Sequence, residues 1–446
     1  MLRQIRRVRT RAGARWLALS QVACAVVTPA VAHAATTVRV APPGINPNGP
    51  SQQPSLSASG RFVAFSSQAS NLGPAVGTGR ESNVYVFDRL TGRIMLISSG
   101  IGGAPANGNS TNPSISGDGQ VVAFASTATN LVGGTSKAVN EIFVRVGSGP
   151  IRRLTVGFGG VEPDSDSAQP VVSGNGRYVG FTSDADNLVA GDDNGASDVF
   201  EFDLLTGAFY RVSVTSRGGQ ARGASYNPSI SADGHLISFT SGARSLVKGL
   251  RNRVPNVFIH DVYTGRTSLM SVSGRGKQQN ASVPAPFTQF SDLSGDGHYV
   301  VFDSNATNLV PGVGNGHTAV FRHDLTARRT QLVSRTSRGK EANNDSFEPA
   351  TSGDGSVTAF ETFADNLGSP WAPGPNIFTW NALTFTPTTV DVTASGGSRG
   401  PELERQLLQR PAVSADGHVV AFVSGANNLV GGDYNGAEDV FLRITP

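Results

Sequence analysis

Cysteine is almost missing. The chain has one, Cys24, inside an N-terminal stretch that reads as a cleaved leader. Beyond that leader there is no disulfide, no thiol nucleophile and no cysteine-based metal site. A long apolar run is missing too, because the stretch at 16–32 is interrupted by Ser20, Gln21, Thr28 and Pro29 and is short for a membrane span. An excess of positive charge is only nominal. The whole chain carries 36 basic and 33 acidic residues, but six arginines and no acid fall within residues 1–34, leaving 30 against 33, or −3, for the remainder. Nothing in that balance favours nucleic acid.

Residues 1–34 have the layout of an export signal: basic "MLRQIRRVRTRAGAR", apolar "WLALSQVACAVVTPAVA" and the small-residue cleavage site "AHA" ending at Ala34. Cleavage there is expected, with the protein periplasmic or extracellular. Rival readings are a lipid anchor at Cys24, opposed by Gln21, and a twin-arginine signal at Arg6 and Arg7, which lacks the apolar residues expected after the pair.

What the rest of the chain has in abundance is repetition. "PSLSASGRFVAFSS" at 54 returns at 113, 170, 228, 291, 349 and 411, at intervals of 59, 57, 58, 63, 58 and 62 residues. One phenylalanine marks each copy: Phe65, Phe124, Phe181, Phe239, Phe302, Phe360 and Phe422. Each copy reads as four short strands: a "PSIS" strand, a DG-type turn, a "VAF" strand, a long polar loop with Asn-Leu, a third strand such as "VFEFD", a "TG" turn and a fourth such as "FYRVSV". Four-strand units in seven copies predict an all-β, seven-bladed β-propeller over residues 35–446. The seventh copy stops after its third strand, while "TTVRVA" (36–41) is an unclaimed strand ahead of the first copy. If that strand completes the last blade, the ring closes without an open sheet edge.

The S-x-D-G-x-x-V-x-F pattern, followed by N-x-[VI]-[FY] and D-x-x-T-G segments, resembles the TolB-type, WD-like propeller repeats of exported bacterial proteins. The resemblance spans the repeats and lacks the additional N-terminal α/β domain of TolB. It implies the propeller fold and leaves the activity open.

Several residues invite a chemical reading. "GDDNGASDVF" (191–200) and "GDYNGAEDVF" (432–441) set oxygen ligands around a glycine turn, as Ca²⁺ requires: Asp192, Asn194 and Asp198, and again Asp433, Asn435 and Asp439. The competing reading is a structural turn, because the positions matching Asp198 are Asn83, Glu141, Asn256, Ala319, Asn376 and Asp439, mostly without charge. The Asn-Leu loops (Asn71, Asn130, Asn187, Asn308, Asn366 and Asn428, with Ser245 as the exception) read as turn caps anchored by leucine, and Asp88, Asp203, Asp261 and Asp324 as Asx turns. His235, His298 and His418 share a repeat position with Arg61 and Arg177, which is not the pattern of an acid–base group. No nucleophile elbow, zincin motif or phosphate loop is present.

The innermost strands read as small and polar, with Asp292 as the one carboxylate, where glycoside hydrolysis wants a pair. The expected function is therefore non-enzymatic: a monomeric scaffold binding a protein, a cell-envelope component or a glycan, with no cofactor beyond the calcium alternative. The other class is a carbohydrate-active hydrolase or lyase. For the scaffold, the loops between blades are the expected contact face. "SGRGKQQNASVPAPFTQF" (273–290) offers Arg275, Lys277, Phe287 and Phe290. "GSRGPELERQLLQR" (397–410) offers Arg405 on a short helix, and neighbouring loops add Arg217, Arg222, Arg335, Arg338 and Lys340.

Overall fold

The computed structural model describes residues 35–73, 81–134, 139–281, 290–400 and 410–446. Leader residues 1–34, Phe287, Arg405 and the short helix expected at 401–407 lie outside them. The described residues form seven four-stranded antiparallel sheets, and the first strand of every blade packs on the first strand of the next, around to the start. The chain is a seven-bladed β-propeller. Blade 3 is typical: Ser167–Val172 innermost, then Tyr178–Ser183, Asp198–Asp203 and Phe209–Arg211 at the rim.

The second and third strands differ from simple alternation. Phe62–Ser67 and Asn83–Asp88 are buried on both faces, because each blade is packed between two neighbours. The apolar core is accordingly divided into seven clusters, one per blade interface, including one that joins Val63, Phe65 and Tyr85 of blade 1 to Val419, Val423 and Val440 of blade 7. The recurring phenylalanine stacks on an aromatic ring of the third strand in every blade, from Phe239–Phe258 at 5.7 Å to Phe360–Phe378 at 6.5 Å. Such pairs add about 0.5–1.5 kcal/mol each beyond the area they bury.

The N-terminal strand Thr36–Arg39 pairs with Asp439–Ile444 and completes blade 7, as the strand count predicts. Two more ties hold it: Thr37 Oγ1 donates to the Val392 carbonyl at 2.7 Å, and Arg39 reaches Asp433 at 3.1 Å.

Two loop devices shape the ends of the ring. In the S-x-D-G turns, Asp118 accepts the Ser116 hydroxyl and the Gln120 N–H at 2.6 and 2.9 Å. The loop asparagine does something other than cap its own turn. Asn130 accepts from Asn107 N at 3.0 Å and donates to Pro105 O at 2.9 Å, tying its loop to the connection that enters the same blade. Ser245, the exception, makes the corresponding bond from Arg222 N at 2.9 Å.

Candidate functional site

The innermost strands of blades 1–4 and 6 begin three residues earlier than the repeat pattern marks, and the added length shapes the propeller axis. Register shifts at Gln52/Ser55, Thr111/Ser114, Ala168/Val171, Tyr226/Ser229 and Phe347/Ala350 are β-bulges followed by proline, which can sit there because a bulge frees it from donating to the ladder. The bulged residues Gln53, Asn112, Gln169, Asn227 and Glu348 take φ of 49–55°, a left-handed conformation that costs a non-glycine residue about 1 kcal/mol or more. Their side chains face the axis with Phe290 and Arg410 at the matching places in blades 5 and 7, lining a pocket of about 350 Å³.

Bonds between neighbouring blades fix this lining. Gln53 Oε1 accepts from Asn112 N at 2.8 Å and Ser66 Oγ at 2.9 Å. Gln169 Oε1 accepts from Asn227 N at 3.0 Å and Thr182 Oγ1 at 3.1 Å. Blade 5 has Phe290 at this position, and Asp303, from its second strand, takes over as acceptor for Phe290 N at 2.9 Å and Glu348 N at 3.3 Å. Burial pushes the Asp303 carboxyl up to about 7. Asp292 is held by Arg410 at 2.7 Å, the Ser229 hydroxyl at 2.7 Å and Thr351 N at 2.8 Å. Asp292 is thus not the one carboxylate of the inner strands, since Glu348 joins it once the bulge is counted.

At the tight-turn end the axis is drawn in by a circle of backbone bonds. Ala58 N donates to Gly117 O, Gly117 N to Gly174 O, Asn175 N to Ala232 O, Ala232 N to Gly295 O, Asp296 N to Gly353 O, Gly353 N to Ala415 O and Ala415 N back to Ala58 O, at 2.8–3.0 Å. This explains why only glycine or alanine follows the serine of every S-x-[DSN]-G turn. A Cβ on Gly117 would lie 2.8 Å from Gly174 O. The bulge residues that line the pocket stand at the other end of the inner strands, where the long loops begin.

In each of the two acid-rich loops an arginine lies beside the carboxylates. Arg211 Nη1 lies 3.0 Å from Asp192 and 4.0 Å from Asp198, with Asn194 Nδ2 bonded to Asp198 at 2.9 Å. In blade 7 Arg39 lies 3.1 Å from Asp433 and 3.5 Å from Asp439, with Asn435 bonded to Asp439 at 2.8 Å. Burial, then the neighbouring Asp198, pushes Asp192 up to about 6, and burial pushes Asp439 up to about 7. The repeats carry a signal for this pairing that a reading of the loops alone overlooks. Where the third strand opens with an acid (Glu141, Asp198, Asp439), the fourth strand supplies arginine (Arg153, Arg211, Arg39). Where it opens with Asn83, Asn256, Ala319 or Asn376, the partner is Leu96, Leu269, Leu332 or Thr389.

The described basic residues singled out between blades lie on separate loops. Arg217 and Arg222, Arg275 and Lys277, and Arg338 and Lys340 sit exposed on three successive hairpins, one at each interface from blade 3 to blade 6. Each hairpin leans on the next blade's outer strand, as Ser216 Oγ does in accepting from Thr267 N at 2.9 Å. Arg335 is half-buried and stacks over Phe385 at 5.0 Å.

No protein-family model matches the chain, and no curated relative matches it. Solved structures do. Oligogalacturonate lyase from Vibrio parahaemolyticus superposes with a TM-score of 0.52 at 11% identity, over 93% of this chain and 98% of that one. The β-propeller domain of the Trilobed protease from Pyrococcus furiosus gives 0.52 at 12% identity, over 90% and 94%. TolB from Acinetobacter baumannii gives 0.39 at 11% identity, over 82% and 76%. These are likenesses of fold. Among the described residues no helix is long and apolar enough to cross a membrane.

Proposed function

We propose that the chain is an exported, non-enzymatic binding scaffold, released from residues 1–34, that engages a protein or cell-envelope component at the long-loop end of the propeller. The observation carrying this reading is the axial pocket, polar throughout its bulge ring and drawn in by backbone bonds at the opposite end. Exposed Arg217, Arg222, Arg275, Lys277, Arg338 and Lys340 then act as secondary contacts around the perimeter, suited to a partly anionic partner.

The test is capture from a cell-envelope fraction by immobilised protein, compared with Ser114→Trp, which fills the pocket. Capture should be lost in the filled variant while its melting temperature holds. Equal capture by both proteins removes the pocket from the function.

A carbohydrate-active enzyme is the second reading, favoured by the presence of both Asp292 and Glu348 at the axis. Asp292, however, is engaged by a guanidinium, a hydroxyl and a backbone N–H, which leaves it badly placed to exchange a proton with substrate. Product formation from an oligosaccharide, abolished by Asp292→Asn, would favour the enzyme.

A further inference from the structure

The axial pocket is rich in hydrogen-bond donors that the protein itself does not use. Gln169 Oε1 is fixed by the two donors it accepts, so its Nε2 must face Asn227 Oδ1, 2.5 Å away. That bond in turn orients the Asn227 amide and leaves Nδ2 turned away from Gln169. Asn227 is 7% exposed, and its Nδ2 is buried with no acceptor among the described residues. Leaving such a group unsatisfied is costly, and a ligand acceptor would remove that cost.

The same logic applies around the ring. Gln53 Oε1 is committed to Asn112 N and Ser66 Oγ, which leaves Gln53 Nε2 without an acceptor among the described residues. Ser55 and Ser114 accept backbone N–H groups, from Ile115 at 3.2 Å and Val172 at 2.9 Å, and their own hydroxyl protons are unspent among the described residues. Their counterpart Ser229 spends its proton on Asp292.

Charge decides what kind of acceptor fits. Among the described residues the wall's one arginine, Arg410, is spent on Asp292 at 2.7 Å, while Glu348 lies in the same wall and Asp303 behind it. Among the described residues an anion would find donors but no surplus positive charge. A neutral ligand with many oxygens matches both conditions. The lining also includes Phe290 and the rings of Pro54, Pro113, Pro170 and Pro228, apolar surface suited to the C–H faces of a sugar ring. At about 350 Å³ the pocket lies near the small end of the small-molecule range, roughly 300–1,000 Å³, enough for one or two pyranose rings.

We infer that the axial pocket takes a neutral saccharide unit, held by Gln53, Ser55, Ser114 and Asn227 as donors with Phe290 as its apolar platform. This rests on the pocket being the point of engagement. A glycan end, not a peptide or an acidic sugar, is then the recognised feature of the partner.

Calorimetry on the protein lacking residues 1–34 tests it, with cellobiose, maltose and diacetylchitobiose as neutral probes, digalacturonate as the acidic counterpart and triglycine as the peptide. At least one neutral disaccharide should bind more tightly than digalacturonate and triglycine. Asn227→Asp keeps the shape and the bond to Gln169 but exchanges the free donor for an acceptor, and should weaken binding at least tenfold, about 1.4 kcal/mol. Gln53→Glu should do the same, while Arg217→Ala on the flank should change nothing. Binding of digalacturonate or triglycine in preference, binding unaffected by Asn227→Asp and Gln53→Glu, or no disaccharide binding at millimolar concentrations would each overturn the saccharide assignment. If Ser114→Trp still abolishes envelope capture in that last case, the pocket remains the point of engagement and only its ligand class falls. If capture is also unchanged, both readings fall.

Discussion

Replacing Arg211 by leucine should expose how the acid-rich loops are stabilised. The Arg211 side chain is 12% exposed and those of Asp192 and Asp198 are 1% exposed, so the substitution strands two buried carboxylates. Breaking a buried pair in this way costs about 3–5 kcal/mol. With an unfolding entropy of about 2.1 cal/mol/K per residue over roughly 400 residues, that loss lowers the melting temperature by about 4–6 °C.

The effect should depend on pH with a definite sign. Asp192 titrates at about 6 in the fold, above its unfolded value, so its protonated form favours folding below pH 4 and that contribution disappears as pH rises through 6. The deficit of Arg211→Leu is therefore greatest at pH 7–8 and shrinks at pH 5. A compensating variant follows from blade 4, where Leu250, Asn256 and Leu269 occupy the corresponding positions. The triple change Asp192→Leu, Asp198→Asn and Arg211→Leu should recover stability to within about 1 kcal/mol of the parent. Differential scanning calorimetry with and without EDTA reads all of this, and EDTA should leave the parent unchanged. A parent that loses several degrees in EDTA, or an Arg211→Leu variant that melts with the parent, would refute the ion-pair account and return the loops to calcium.

Three further outcomes are expected. Glu201 is fully buried, neither carboxylate oxygen has a hydrogen-bond partner among the described residues, and burial followed by Asp203 pushes it up to about 8. Since Val86, Val144, Ile259 and Leu442 fill its place in other blades, Glu201→Val should stabilise by about 3–5 kcal/mol at pH 9 and little at pH 4, measured by urea unfolding. A variant less stable than the parent at pH 9 would contradict this. Deleting residues 35–41 removes the closing strand and Arg39, and should lower the melting temperature by more than Arg211→Leu does; a parent-like melt would refute the seam. Mass spectrometry of exported protein should find Ala35 at the N-terminus, and a lipid-modified Cys24 would show the leader to be misread.

The fold was open to sequence reading because its determinants are local and repeated. A phenylalanine every 57–63 residues, an S-x-D-G turn and an unclaimed first strand specify blades, their number and their seam without any knowledge of distant contacts. The arginine–acid pairs were also legible, but only by comparing the third and fourth strands of all copies together; the loop sequence at 191–200 looks like a cation site when read alone. The axial pocket was not legible. Phe290 stands out in its loop, but as a loop contact and not as part of an axial ring; Gln53, Asn112, Gln169, Asn227, Glu348 and Arg410 are unremarkable residues roughly sixty positions apart, each just before or beside the recognised motif. Closure of the ring brings them to one axis, and the bulges turn their side chains inward. Which donors stay unspent depends on what each neighbouring blade accepts. That is a property of contacts between blades, and no single repeat encodes it.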